Sequence, residues 1–332
     1  MELEVRTIEL ELAEPFVIAR RSWDRATNIF VLLEHGGHWG AGEVSPDEHW
    51  GEDAASVSEA LADIDLGAFE PFDLEAPSEI LGAGSARSAL DIAWHDLAAR
   101  TAGIPLRYLT GVGERPAPET SMTIAITDPD QMAEKARGMV GMPIIKTKVG
   151  FEGDVEAIAA IRKEFPGRLR IDANEGWTVD EAIDRLQQLA PYDIELCEQP
   201  IPMGDLDGLR KVSGSSEIPI YADEDAGTSA DVARLASAVD GVNLKLRKAG
   251  GIRETMRAIH TARAVGLRVM IGCDLVSGVA AAAEVALAPL ADEIDVDGPT
   301  LLASDPFPTV TFRSGTVRPI EGPGSGLAEP PW

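Results

Sequence analysis

The chain has little cysteine, few bases and no long apolar run, and each shortage narrows what it can be. Its 332 residues include two cysteines, Cys197 and Cys273. They form neither a metal-ligand spacing nor a disulfide framework, so both read as small buried residues near strand ends. No apolar stretch reaches the ~18 residues of a membrane helix. The first twenty residues carry Glu2, Glu4, Glu9, Glu11 and Glu14, unlike the basic start of a secretion signal. The expectation is a cytoplasmic protein. Lysine and arginine total 29 against 56 acids, a formal charge of −27. That balance argues against nucleic acid and membrane as partners. The acids are scattered, which fits surface solubility better than a basic substrate. Nothing in the sequence argues against a homo-oligomer.

What is present is a repeat. Short apolar runs end in a chemically capable residue and then turn: Ile144-Ile-Lys-Thr-Lys148, Leu169-Arg-Ile-Asp172, Ile194-Glu-Leu-Cys-Glu198, Ile218-Pro-Ile-Tyr-Ala-Asp223 and Val242-Asn-Leu-Lys245. Leu267-Arg-Val-Met-Ile271 and Ile294-Asp-Val296 continue the series. The polar ends recur about every 25 residues, the length of a strand, a helix and two loops. Between them lie amphipathic stretches, such as Val155, Ile158, Ile161 and Phe165 on one face, and the capping box Thr178-Val-Asp-Glu181. With a first strand over 121–126, the units number eight, which predicts a (β/α)8-type barrel.

Upstream, residues 2–12, 28–34 and 39–44 alternate as an antiparallel meander. The intervening Ala19-Arg-Arg-Ser-Trp-Asp-Arg25 has no period and reads as a mobile loop, either an ordinary exposed hairpin loop or a lid whose arginine meets an anion. Ser85 to Thr101 is a strong helix, with Leu90, Ala93, Trp94 and Leu97 on one face. His95 and Asp96 beside that stripe read as structural polars. The expected organisation is an α+β capping domain over 1–112, a barrel over 113–312, and a segment over 313–332 that returns to the cap.

In such barrels the site lies at the carboxyl ends of the strands. Asp172, Glu198 and Asp223 would converge there. An oxygen-only ligand set selects a hard cation such as Mg²⁺. Lys146 and Lys148 share one face of their strand. As neighbouring ammonium groups they should disfavour each other's charge and move towards a usable base. Lys245 stands across the barrel. Bases on both sides of a metal that holds a carboxylate suit proton transfer at the carbon next to that carboxylate. Asp295 and Asp297 share one face at the last strand end, and the pair either holds an ammonium or simply ends the strand.

The chain resembles the enolase superfamily, in its muconate-lactonising subgroup. The resemblance covers nearly the whole chain and rests on Asp172-Ala-Asn174, Glu198-Gln-Pro200, Ala222-Asp-Glu224 and Lys245-Leu-Arg-Lys-Ala-Gly-Gly251. It implies Asp172, Glu198 and Asp223 as Mg²⁺ ligands, Lys148 and Lys245 as the acid/base pair, and Lys146 as their electrostatic neighbour. Asp295-Val-Asp297 resembles the dipeptide epimerases, where such a pair binds the substrate's free amino group. The resemblance further implies that Arg21 in the lid and Thr123 on the first barrel strand meet a glutamyl side chain, with Arg20 and Arg25 as rivals for the lid role. The expected substrate is a small dipeptide, with L-Ala-D/L-Glu first. A hydrophobic or cationic dipeptide, a lyase or cycloisomerase reaction, and a non-catalytic metal-dependent binder are the alternatives. Asp274 departs from the glutamyl pattern: it either faces the substrate, disfavouring an acidic side chain or favouring a basic one, or pairs with a lid arginine and is neutral in effect.

Overall fold

Alternation drives the first layer. In the computed structural model, which describes residues 1–332, β1 (Glu2–Ile18) pairs antiparallel with β2 (Arg21–His35), and β2 with β3 (His38–Val44). Ile29, Val31 and Leu33 point to one side of β2 and pack on Leu90, Ala93, Trp94 and Leu97 of the helix Ser85–Ala102. Phe30 points to the other side and packs with Leu10, Ala41, Leu275 and Val279 against the second domain. The sheet is thus sandwiched, and β2 reads as a continuous apolar run because both of its faces are covered. Gly40 and Gly42 allow the close approach: a Cβ at either position would overlap the carbonyl oxygens of Ala93 and Ala89.

The second domain is built from eight parallel strands in sequential order: β4 (Met122–Ile124), β5 (Ile144–Lys148), β6 (Arg168–Asp172), β7 (Ile194–Glu198), β8 (Ile220–Ala222), β9 (Gly241–Leu244), β10 (Arg268–Gly272) and β11 (Glu293–Asp295). A parallel bridge between Thr120 and Ile294 brings the two ends together, and Val296 N–H donates to Thr120 Oγ1 at 3.0 Å. Residues pointing out of the barrel, such as Ile145, Leu169 and Ile171, join the helices in the large core. Those pointing in fill the interior: Leu196, Tyr221 and Met270 touch one another, and buried Arg170 donates to the Ile294 carbonyl at 2.9 Å. The barrel is therefore packed below the site.

Polar joints fix the cap on the barrel. Glu43 at the end of β3 accepts from the N–H groups of Ser277 and Ala280, at 2.8 and 3.1 Å, so a cap carboxylate seals the start of the helix Gly278–Leu287. Asp91 Oδ1 does the same at Ile252 N–H, 2.5 Å, the first residue of Ile252–Ala264. His95 and Asp96 are satisfied structural groups: His95 Nδ1 lies 2.8 Å from the Asp91 carbonyl, and Asp96 accepts from Ala41, Arg100 and Ser325.

Two expectations change. Residues 19–25 are the tip and second arm of the β1–β2 hairpin, with Ile18 opposite Arg21 and Phe16 opposite Trp23. The two aromatic rings, 6.3 Å apart, extend the ladder through a stretch whose polarity hides its strand character. The expected break at 312/313 falls inside another hairpin, β12 (Val310–Arg313) with β13 (Thr316–Pro319). Val310 and Val317 join the barrel core, so this hairpin belongs to the barrel. Only the residues beyond it reach the cap, where Gly324 exchanges hydrogen bonds with Ile104 and Leu106.

Candidate active site

Strand register assembles the charged cluster. Lys148, Asp172 and Glu198 are lateral neighbours at the ends of β5, β6 and β7, and Asp223 follows β8 directly. Lys146 Nζ stands 2.7 Å from Asp295, 2.8 Å from Glu198 and 3.1 Å from Asp172. Lys148 Nζ donates to Asp172 at 2.6 Å and lies 5.7 Å over the Phe16 ring. Across the barrel, Lys245, the residue after β9, lies 3.1 Å from Asp223. The structure brings together every strand-end residue that the repeat singled out.

The electrostatics differ from the expectation for Lys146. Burial disfavours its ammonium, yet Asp295, Glu198 and Asp172 hold it well above the ordinary lysine range. Carboxylates outnumber the neighbouring lysine, so the lysine–lysine repulsion does not decide the outcome. Lys245 is likewise raised: burial opposes its charge, and Asp223 and Asp274 more than compensate. Crowding acts in reverse on Glu198, which burial and Asp172 push up to about 8. Asp297 is pushed up to about 7 by burial and by Asp295.

Three groups absent from the expected site complete it. Asn243 Nδ2 donates to Glu198 at 2.8 Å. Lys248 Nζ binds both the side chain and the carbonyl of Asp223. Gln199 accepts from Asp223 N–H at 2.9 Å. Alternation could have found Asn243, two residues before Lys245 on one strand. Lys248 lies within the Lys245–Gly251 motif, but its spacing from Lys245 does not disclose that a tight turn folds it back onto Asp223. Asn174, Glu175 and Gln199 hold positive φ of 42°, 67° and 32°, strain concentrated in the loops after β6 and β7.

Above this floor a cavity of about 810 Å³, counting its open mouth, is walled by the hairpin tip, by Ser45–Trp50 and by the ends of β10 and β11. Thr123, Asp274, Asp295 and Asp297 line it. Asp295 is held by Lys146 and by Ser121 Oγ at 2.6 Å, and Asp297 by Thr123 N–H at 2.7 Å. Arg20 lines the cavity, latched to Glu224 at 2.7 Å and to the Asn174 carbonyl at 2.9 Å. Arg21 lies outside the lining, 3.3 Å from Glu48 and 3.7 Å from Asp47. Arg25 pairs with Glu9 on the exposed side of the hairpin. Asp274 pairs with Arg247, Nε to Oδ2 3.0 Å, rather than with a lid arginine. Cys197 is buried as expected, whereas Cys273 forms part of the cavity wall.

Comparison with known proteins agrees with this architecture. Residues 1–111 match the mandelate racemase / muconate lactonizing enzyme N-terminal domain, and residues 131–328 match the enolase C-terminal domain-like family. The hydrophobic dipeptide epimerase of Roseobacter litoralis is 36% identical over 98% of both chains. The substrate-liganded L-Ala-D/L-Glu epimerase of Bacillus subtilis superposes with a TM-score of 0.92 at 30% identity, over 99% of this chain and 98% of that one. The chain belongs to the dipeptide epimerase family of the enolase superfamily. A further member, the Enterococcus faecalis V583 dipeptide epimerase complexed with Mg and L-Leu-L-Tyr, matches with a TM-score of 0.92 at 32% identity, over 99% of each chain.

The dipeptide epimerases are isomerases, and Mg²⁺ is the family cofactor. The residues present here fit it. Asp172, Glu198 and Asp223 offer only oxygen, the donor type a hard dication takes. Their mutual repulsion, visible in the raised Glu198, is what a dication would relieve. Glu198 Oε2 is buried without a well-aligned hydrogen bond, although Lys146 stands 2.8 Å away. No three acidic side chains gather at metal-holding distance in this conformation. No helix of this epimerase-family chain is long and apolar enough to cross a membrane.

Proposed function

We propose that the protein is a Mg²⁺-dependent epimerase that inverts the α-carbon of the C-terminal residue of a dipeptide, with L-Ala-D/L-Glu as the first substrate. One observation carries this reading. Lys148 and Lys245 face a single cavity from opposite sides, with the three carboxylates between them.

The chemistry follows from that placement. The hydrogen on a carbon beside a carboxylate is a very weak acid, and a lysine amine alone cannot remove it at a useful rate. Held by Asp172, Glu198 and Asp223, Mg²⁺ would bind the substrate carboxylate and, as a Lewis acid, stabilise the negative charge that develops there. Lys148, in its neutral form, takes the α-proton from one stereoisomer. Lys245, as the ammonium, delivers a proton to the opposite face, and the C–H bond lost is replaced by one of inverted configuration. The return reaction exchanges the two roles. Lys146 supplies a fixed positive charge beside the reacting carboxylate. Asp295 and Asp297 take the substrate ammonium, and Thr123 orients Asp297 through its backbone N–H.

A second reading, a hydrophobic dipeptide, is favoured by the aromatic wall of Phe16, Trp23 and Trp50. Incubation with Mg²⁺ in D₂O against a dipeptide panel tests both. α-Deuteration of L-Ala-L-Glu above all others is the expected result. Deuteration of apolar dipeptides instead would move the substrate to the second reading. A panel without any deuteration would overturn the epimerase reading in favour of subgroup lyase chemistry, such as muconate cycloisomerisation or o-succinylbenzoate formation.

A further inference from the structure

The lid arginines are engaged by the protein itself: Arg20 is latched to the barrel and Arg21 faces Asp47 and Glu48. A third arginine lines the cavity and keeps one donor unpaired. Arg247 follows the acid/base Lys245 by two residues, in the short helical turn Leu246–Ala249. It is 5% exposed and lines the cavity. Its Nε donates to Asp274 Oδ2 at 3.0 Å, and its Nη2 lies 3.4 Å from Asp274 Oδ1 and 3.8 Å from Asp47. The guanidinium sits 5.8 Å over the Trp50 ring. Nη1 is buried and has no hydrogen-bond partner. Leaving such a charged donor unpaired and out of water is costly, so a group supplied from outside the chain is the natural partner.

Asp274 has the opposite status. One of its oxygens stands 3.4 Å from Arg247 and 3.7 Å from Lys245, and the other accepts from Arg247. Its charge is neutralised within the protein, so the subsite offers a donor and not an acceptor. Position fits as well. A single Asp274 oxygen separates the acid/base ammonium from the guanidinium. A side chain growing from a carbon poised at Lys245 meets Arg247 a few bonds out.

We infer that Arg247, clamped by Asp274 and Trp50, is the specificity-determining residue of this site, and that its Nη1 receives the side-chain carboxylate of the substrate's C-terminal residue. The inference rests on the epimerase reading and deepens it. A planar guanidinium with two of its three nitrogens fixed can turn only its remaining edge to the ligand, which favours a carboxylate over an amide or an apolar group. It also explains why an aspartate stands at 274 in a site that takes an acid: Asp274 orients the arginine and leaves the substrate alone.

The test compares α-deuteration kinetics of L-Ala-L-Glu, its near-isostere L-Ala-L-Met, and L-Ala-L-Lys, for the wild type, Arg247→Met, and the double variant Arg247→Met/Asp274→Asn. The wild type should prefer the glutamyl dipeptide. Arg247→Met should lower the Glu/Met ratio of kcat/KM by at least about tenfold, the scale expected for loss of a charge-assisted hydrogen bond, mainly through KM for the glutamyl substrate. The double variant removes the carboxylate stranded by the single change and should show the same loss of preference. An equal fall on glutamyl and methionyl dipeptides in both variants would make Arg247 structural and overturn the inference while leaving the epimerase reading intact. Preference of the wild type for L-Ala-L-Lys would overturn it too, placing Asp274 in contact with substrate. Absence of deuteration on all three would overturn both.

Discussion

The floor and the wall of the cavity are built from different materials. The floor consists of strand ends one after another, in register, with buried ion pairs among Lys146, Lys148, Asp172, Glu198 and Asp295. The wall is assembled from the β1–β2 hairpin, the Ser45–Trp50 segment and the turn after Lys245, and some of its ion pairs are part-exposed: Arg20 is 27% exposed where it meets Glu224. Desolvated pairs within a packed barrel hold their geometry, whereas surface pairs are weak and adjustable. The floor can therefore keep a reaction unchanged while the wall is altered to take another side chain.

That contrast can be broken at several points. The largest effect belongs to the floor. Lys148→Ala and Lys245→Ala should each lower epimerisation by about 10²–10⁴-fold, the range for loss of a general acid or base, measured as stereochemical inversion of L-Ala-L-Glu. Substantial turnover in either variant would end the two-base assignment. Next comes Glu198→Gln, which removes a ligand charge. Titration of Mg²⁺ against thermal stability should show a midpoint shifted upward about tenfold or more, and an unmoved midpoint would remove Glu198 from the ligand set.

Smaller effects belong to the wall. Arg20→Ala frees the hairpin tip from Glu224 and the Asn174 carbonyl, and should raise KM several-fold with little change in kcat. A fall in kcat alone would tie the latch to the chemistry. The smallest expected effect is on stability, from a carboxyl buried behind the wall. Burial, with Asp274 and Glu43, raises the Glu284 carboxyl well above its ordinary value of 4.5. The folded state then keeps a proton that the unfolded chain releases. The stabilisation is fully present below about pH 4.5 and fades as pH climbs towards the folded value. Glu284→Gln should melt higher than the wild type at pH 8, by roughly 2–4 °C for each kcal/mol relieved, and much closer to it near pH 4.5. A pH-independent difference would mean that Glu284 is not the titrating group.

The same contrast governs what the sequence discloses. Each floor residue sits at a fixed place in a repeat, and alternation decides which side of the strand it occupies, so Lys148, Asp172, Glu198, Asp223 and Lys245 can be read without coordinates. Lys146 was legible as to place but not as to charge, because its proton affinity is set by Asp295 from a strand 149 residues away. Wall residues obey no period. Residues 19–25 look like a loop because Arg20, Arg21, Ser22, Asp24 and Arg25 surround a single aromatic, Trp23, whose pairing with Phe16 only the hairpin register reveals. Arg247 lies within a motif that draws attention to Lys245, and its role depends on Asp274 and Trp50, which only the fold brings to it.

The sandwiching of β2 has a consequence for how such proteins diversify. Its two faces serve two cores at once, one under the helix Ser85–Ala102 and one over the barrel. The cap is therefore not a module. Exchanging it whole for that of a relative would open both layers, and the chimaera would melt as a damaged single unit rather than as a sound barrel with a loose top. The hairpin tip from Phe16 to Trp23 touches only the layer over the barrel, through its two aromatic rings, so evolution and the laboratory alike can trade that short piece while the rest of the cap stays where it is.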